Sequence, residues 1–299
     1  MNNWIYFVLI AQGIWSITSV IDKVVISKGY IKNPAVYIVL NGITNILLIF
    51  LLPFVGFEPL KFADFLIALF AGVAFSISVT LYYKAVQYDE ISRVVMMYQI
   101  TPIFILILSF FLIGERLTKN YFIGFLFLLG AGLIISYKKV GNLFRFSKAL
   151  NYMLISAFFS ALALVSGKHI FNVTSFWSAF LWLRLTAISS VGVVIVPSIR
   201  NQFIETFKSM KNNIKVLLTS KMIIDFSAFI FSAYAIFNGR VSLVSALSTS
   251  VAPVFVFIVA LIASVYLPKL VKEGIDRKAI LTKVFALVLI AIGIVFVSM

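Results

Sequence analysis

Residues 85–136 read AVQYDEISRVVMMYQITPIFILILSFFLIGERLTKNYFIGFLFLLGAGLIIS: two apolar runs, the first carrying Pro102, joined by the short polar turn Gly114-Glu115-Arg116. A looser copy follows toward the C-terminus. Residues 241–261, VSLVSALSTSVAPVFVFIVAL, place Pro253 11 positions after Ser242, as Pro102 stands 11 after Ile91. Further on, LVLIAIGIVFV answers LFLLGAGLIIS. Pro102 to Gly132 is 30 positions and Pro253 to Gly293 is 40, so the second copy carries about ten extra hinge residues. Repetition at this scale decides the architecture before any single helix is placed.

Composition sets the solvent. The chain has 299 residues, 62% hydrophobic and only 12% charged, whereas soluble domains are about half apolar and a quarter charged. Charge-free runs of about 20 residues recur along its length, each able to cross the hydrocarbon layer. The expected fold class is therefore an all-α membrane protein. The net charge of +15 does not point to nucleic acid, because the Lys and Arg sit in short connections between apolar runs, where membrane orientation places them. With no Cys and one His, disulfides, iron–sulfur clusters, thiol catalysis and a zinc site are excluded. No metal or cofactor is expected. No HExxH, phosphate-binding glycine loop, Ser/His pair or intramembrane carboxylate dyad is present, so an enzyme is not expected. The first residues, MNNWIYFVLIAQGIW, read as a spanning helix and not a signal peptide.

Ten spans are expected, at 4–22, 35–55, 63–83, 93–113, 120–137, 151–168, 176–197, 221–238, 241–265 and 280–298. The polar gap around 138–150 divides them five and five, giving one repeat over 1–140 and a second over 141–299. Five is odd, so the second set enters the membrane from the opposite side. Two inverted five-helix repeats are related by a pseudo-two-fold axis in the membrane plane, with a cavity between them near the midplane. Counting cations at span ends, Lys221 among them, with the adjoining connection, the odd-numbered connections hold 19 Lys and Arg and the even-numbered ones 5. The positive-inside rule then places the odd connections in the cytoplasm and both termini outside.

The duplicated pattern resembles the drug/metabolite transporter superfamily, specifically its EamA-type members. The resemblance rests on Pro102 and Pro253, the GERLT turn (Gly114 to Thr118), and the glycines of the last helices, Gly130, Gly132 and Gly293. In the second copy the turn has become YLPKLVKEG. The resemblance implies a basket-shaped ten-helix carrier of small metabolites, amino acids or drugs, with both termini inside, opposite to the reading from charge.

Candidate site residues follow from what a bilayer penalises. A mid-helix proline removes a backbone hydrogen bond and frees the carbonyl four residues earlier, here those of Tyr98 and Thr249. In hydrocarbon such a carbonyl must be covered by protein or face a water-filled cavity. Polar residues surround both breaks: Tyr98, Gln99 and Thr101 before Pro102, and Ser245, Ser248, Thr249 and Ser250 before Pro253. Packing kinks with small interfacial residues are the plainer alternative. Arg184 is the only charge placed deep in a span, expected to face the cavity and attract an anionic group, or else to bond helix-end carbonyls. Gln12/Ser16 and Asn41/Asn45 form polar stripes at i, i+4. Trp15, Tyr37, Tyr82 and Trp182 lie deep enough to need partners for their NH and OH groups. The substrate-binding set is thus Gln12, Trp15, Ser16, Tyr37, Asn41, Tyr82, Tyr98, Gln99, Trp182, Arg184, Ser245 and Thr249, with Pro102 and Pro253 as helix breaks. Glu115 is expected to suit the dipole of the fifth helix, His169 to be a loop residue, and Asp225 to lie near an interface.

The expected function is a multi-pass plasma-membrane carrier moving a small metabolite, amino-acid-like or otherwise small and anionic or zwitterionic, by alternating access. The alternatives are a proton-coupled drug or metabolite exporter and a non-transporting receptor or assembly partner that kept the fold. The expected partners are the solute and the lipid bilayer, without nucleic acid; a homo-oligomer is compatible with all of this.

Overall fold

The computed structural model describes residues 3–27, 39, 45, 52–88, 94, 97–136, 148–187, 197–266 and 277–299. All regular structure among them is helical. The helices are α1 (Trp4–Ser27), α2 (Phe62–Tyr88), α3 (Thr101–Ile113), α4 (Lys119–Ser136), α5 (Lys148–Val173), α6 (Phe176–Thr186), α7 (Pro197–Ser209), α8 (Asn212–Asn238), α9 (Val241–Tyr266) and α10 (Arg277–Ser298). Six of these are long and apolar enough to cross a bilayer: α1, α2, α5, α8, α9 and α10. Of the expected second span, 35–55, the described residues are Val39 and Asn45, which are helical, and 52–55, which form a turn and not the end of a helix.

Three expected boundaries are corrected. The fourth span is not one helix over 93–113. Residues 97–98 are helical, 99–100 form a turn, and α3 starts at Thr101 with Pro102 in its first turn. Proline suits that position because its missing N–H is an orphan there anyway. Pro253, by contrast, lies inside the continuous α9. The expected gap at 198–220 holds the amphipathic α7 and the first nine residues of α8. The sixth span extends to Val173, so His169 is helical, and its Nε2 lies 2.9 Å from Asp64 Oδ1 on α2.

Helix packing crosses the expected division of the chain. The longest contacts are α2 with α5, α4 with α10, and α1 with α8 and α9; α5 also packs on α3, and α3 on α9. Each half's first helix therefore lies against the third and fourth spans of the other half. Large side chains are exposed on the outer faces, among them Phe70, Phe111, Leu126, Phe285 and Val288. On a chain this apolar they are the lipid-facing surface, not a dewetted patch in water.

Candidate functional site

A cavity of about 460 Å³ opens among these crossings. Gln12 and Trp15 reach it from α1, Gly72 and Phe75 from α2, and Tyr98, Gln99 and Thr101 from the break before α3. Ser160 and Gly167 come from α5, Phe180 and Arg184 from α6, Phe229 and Ser232 from α8, and Ser245, Ser248, Thr249 and Pro253 from α9. An apolar pocket with a few convergent polar groups is the usual form of a small-molecule site.

Close backbone approach builds one wall. A Cβ on Gly72 would lie 2.4 Å from the Thr186 carbonyl oxygen, so only glycine lets α2 and α6 meet there. That crossing sets Arg184 beside the cavity. Its guanidinium lies 3.6 Å from the Phe229 ring centroid and 5.6 Å from that of Phe180. Phe229 in turn forms a T-shaped pair with Trp15, with centroids 5.2 Å apart. The aromatic faces hold the cation in place, a contact worth up to about 2 kcal/mol when desolvated. They leave its N–H donors available: among the described residues Arg184 makes no hydrogen bond and no ion pair.

The buried Lys221, by contrast, has carboxylate partners. Lys221 Nζ lies 2.7 Å from Asp225 on its own helix and 3.2 Å from Asp22 on α1. This cluster lies away from the cavity wall and corrects two expectations. Lys221 is a buried helical residue, not part of a connection, and Asp225 is the fourteenth residue of α8, not the fourth or so. Asp225 serves Lys221 and is no counter-ion to Arg184.

Both proline-orphaned carbonyls are covered. That of Tyr98 accepts from Thr101 Oγ1 at 2.7 Å, and that of Thr249 accepts from Gln99 Nε2 at 3.3 Å. The Tyr98 hydroxyl is 2.8 Å from Ser160 Oγ on α5.

At the end of the bundle that holds the GER turn, polar contacts tie the halves together. Gly114 adopts φ 68° as the left-handed cap of α3, where only glycine is free of Cβ strain. The turn aims Glu115 at the start of α9. Its Oε2 accepts the Val241 N–H at 2.9 Å; its Oε1 accepts the Ser242 N–H at 3.2 Å and the Ser242 hydroxyl. Glu115 thus caps a helix of the other half, not the fifth span expected from sequence. Arg240 donates back to the Arg116 carbonyl and lies over the Tyr121 ring. Thr174 Oγ1 donates to Glu58 at 2.8 Å, a third tie across the division.

Of the residues singled out from sequence, Gln12, Trp15, Tyr98, Gln99, Arg184, Ser245, Thr249 and Pro253 come together on the cavity wall. Ser16, Tyr82, Trp182 and Pro102 do not. Ser16 bonds the Gly13 carbonyl of its own helix, and Tyr82 lies edge-on to Tyr98 behind the wall. The Trp182 indole N–H goes to the Glu58 carbonyl, with its ring against Phe57 and Phe65. Tyr37 and Asn41 lie outside the described residues. Phe75, Phe180 and Phe229 were missed, because nothing in the sequence separates them from the other Phe among 31. Ser160 could have been found: with Ser156 it makes an i, i+4 polar pair on an apolar helix.

A helical membrane bundle with a solute-sized cavity among its crossings defines the class. Residues 2–137 match the EamA-like transporter family, the one that the GERLT turn resembled. The chain is also 33% identical over 142 residues to the riboflavin transporter ImpX of Fusobacterium nucleatum, a match covering 45% of this chain and 46% of that protein. One crystal structure is similar over 98% of this chain and 96% of its own, with a TM-score of 0.66 and 17% identity. That likeness speaks for the fold over the whole length.

Proposed function

We propose that this protein is a multi-pass plasma-membrane carrier that moves a small metabolite through the central cavity by alternating access. Two inverted repeats, 1–140 and 141–299, form its moving halves. The exchange of first helices between the halves supports the division, since each half packs on the other in the same way.

The single observation that carries the substrate reading is Arg184. Its guanidinium is stacked on aromatic rings at the cavity wall, with its hydrogen-bonding capacity unspent on described residues. A group with five donors and a full charge favours a solute that brings a carboxylate, phosphate or strong carbonyl acceptor. The favoured class is therefore small and anionic or zwitterionic. A second reading has its own support: the aromatic walls of Trp15, Phe75 and Phe229, together with the relative named as a riboflavin transporter and matched over about half of its length, suit a flat neutral heteroaromatic solute.

Uptake by purified protein in liposomes separates the readings, with a panel of amino acids, small organic anions and riboflavin. Losing a charge-assisted hydrogen bond costs about 1.5–3 kcal/mol, roughly ten- to a hundredfold in affinity. Arg184→Gln is therefore expected to raise KM for anionic solutes by that factor and for neutral ones far less. An equal loss for both makes Arg184 structural. If no solute in the panel moves, the carrier reading fails.

A further inference from the structure

The two proline sites look equivalent in sequence but are satisfied differently. The Tyr98 carbonyl is covered locally by Thr101, within its own half. The Thr249 carbonyl, which the missing N–H of Pro253 leaves open inside α9, takes its donor from the other half, through Gln99 Nε2. Gln99 occupies the turn that interrupts the fourth span and is only 5% exposed. Space for it is reserved by a glycine: a Cβ on Gly132 would lie 2.8 Å from Gln99 Oε1. The break in one half thus supplies the donor that a proline inside a continuous helix of the other half removes, at the wall of the cavity.

We propose that Gln99 is a positioning residue that replaces the hydrogen-bond donor removed by Pro253 and so holds the broken fourth span in register with α9 across the cavity. The Ser245–Thr249 face of the cavity is set by this bond. Pro253 makes the bond necessary, and Gly132 makes it sterically possible. The inference deepens the carrier reading by naming what couples the two halves at the site, but its test does not depend on transport.

The prediction is one of non-additivity. With alanine at 253 the helix regains an N–H for the Thr249 carbonyl, and the amide of Gln99 becomes redundant. The experiment compares Gln99→Leu and, independently, Gly132→Ala, each with Pro253 and with Pro253→Ala. The first readout is the thermal unfolding midpoint of the purified protein. The second is the alkylation rate by N-ethylmaleimide of a single cysteine introduced as Ser245→Cys, in a chain with no cysteine of its own. An unmet buried carbonyl is expected to lower the midpoint by about 3–8 °C in either variant with Pro253 present, and the alkylation rate should change severalfold. In the Pro253→Ala background both effects should fall to less than half. Equal effects in the two backgrounds overturn the proposal, as does an alkylation rate that stays constant while the midpoint falls. Gly132→Ala keeps the test decisive if Gln99→Leu does not fold, because it displaces the amide without deleting it.

Discussion

Glu115 does for α9 what an N-terminal Ser or Asp ordinarily does within its own helix. Its carboxylate accepts the Val241 and Ser242 N–H groups, two of the donors that every helix start leaves unpaired, and a negative charge at that place suits the helix dipole. Replacing Glu115 with alanine should cost about 1–3 kcal/mol, a midpoint lowered by roughly 3–8 °C in a thermal melt, whereas Glu115→Gln should retain a good part of it. A melt unchanged by Glu115→Ala would mean that water replaces the clamp at no loss. Arg184 and Glu115 were both visible in the sequence as charges that needed a reason. For Arg184 the location could be read, because a cation in mid-span has few places to go. The partners of Glu115 could not, because they lie 126 and 127 positions away, on a helix whose start is set by packing.

Elements were legible wherever they crossed the bilayer and poorly legible elsewhere. Hydropathy reads the solvent around a helix, not the helix itself. The polar residues from Arg200 to Lys215 therefore hid α7 and the start of α8, and with them the true depth of Lys221. The interruption before α3 was expected as a helix break at Pro102 inside a span over 93–113, with a packing kink as the alternative. Proline at 102 fits both, and the choice between them rests on how residues 97–100 are held. The cluster that results makes a prediction about α1 and α8. Lys221 neutralises carboxylates on both helices, with its side chain 7% exposed. Removing the shared partner of a buried pair costs about 3–5 kcal/mol, so Lys221→Met should lower the melting midpoint by roughly 10 °C. Asp225→Asn, which leaves Lys221 paired with Asp22, should lower it by less than half as much. Equal losses would show that Asp22 contributes nothing to holding Lys221.

Over the whole molecule, the exchange of first helices makes each half depend on the other for its packing. The odd number of spans per repeat calls for an antiparallel relation between the proposed repeats. At the end that holds the GER turn, polar ties across the halves run through Glu115, Arg240 and the Thr174–Glu58 bond. On the proposed reading, opening the cavity at that end by moving the two halves apart requires those ties to part. Motion of this kind, one bundle against another about a fixed midplane site, is the general behaviour of inverted-repeat carriers.

The most direct measurement uses the absence of native cysteine. A Glu115→Cys, Ser242→Cys double variant is reconstituted in liposomes, and its uptake of a solute moved by the unmodified protein is followed before bridging the two thiols with a short bifunctional thiosulfonate, after bridging, and after reduction. Parting of the halves at the GER end predicts uptake before bridging, its loss on bridging, and its return on reduction. Uptake that continues unchanged with the bridge intact would contradict a carrier that works by moving its two halves apart.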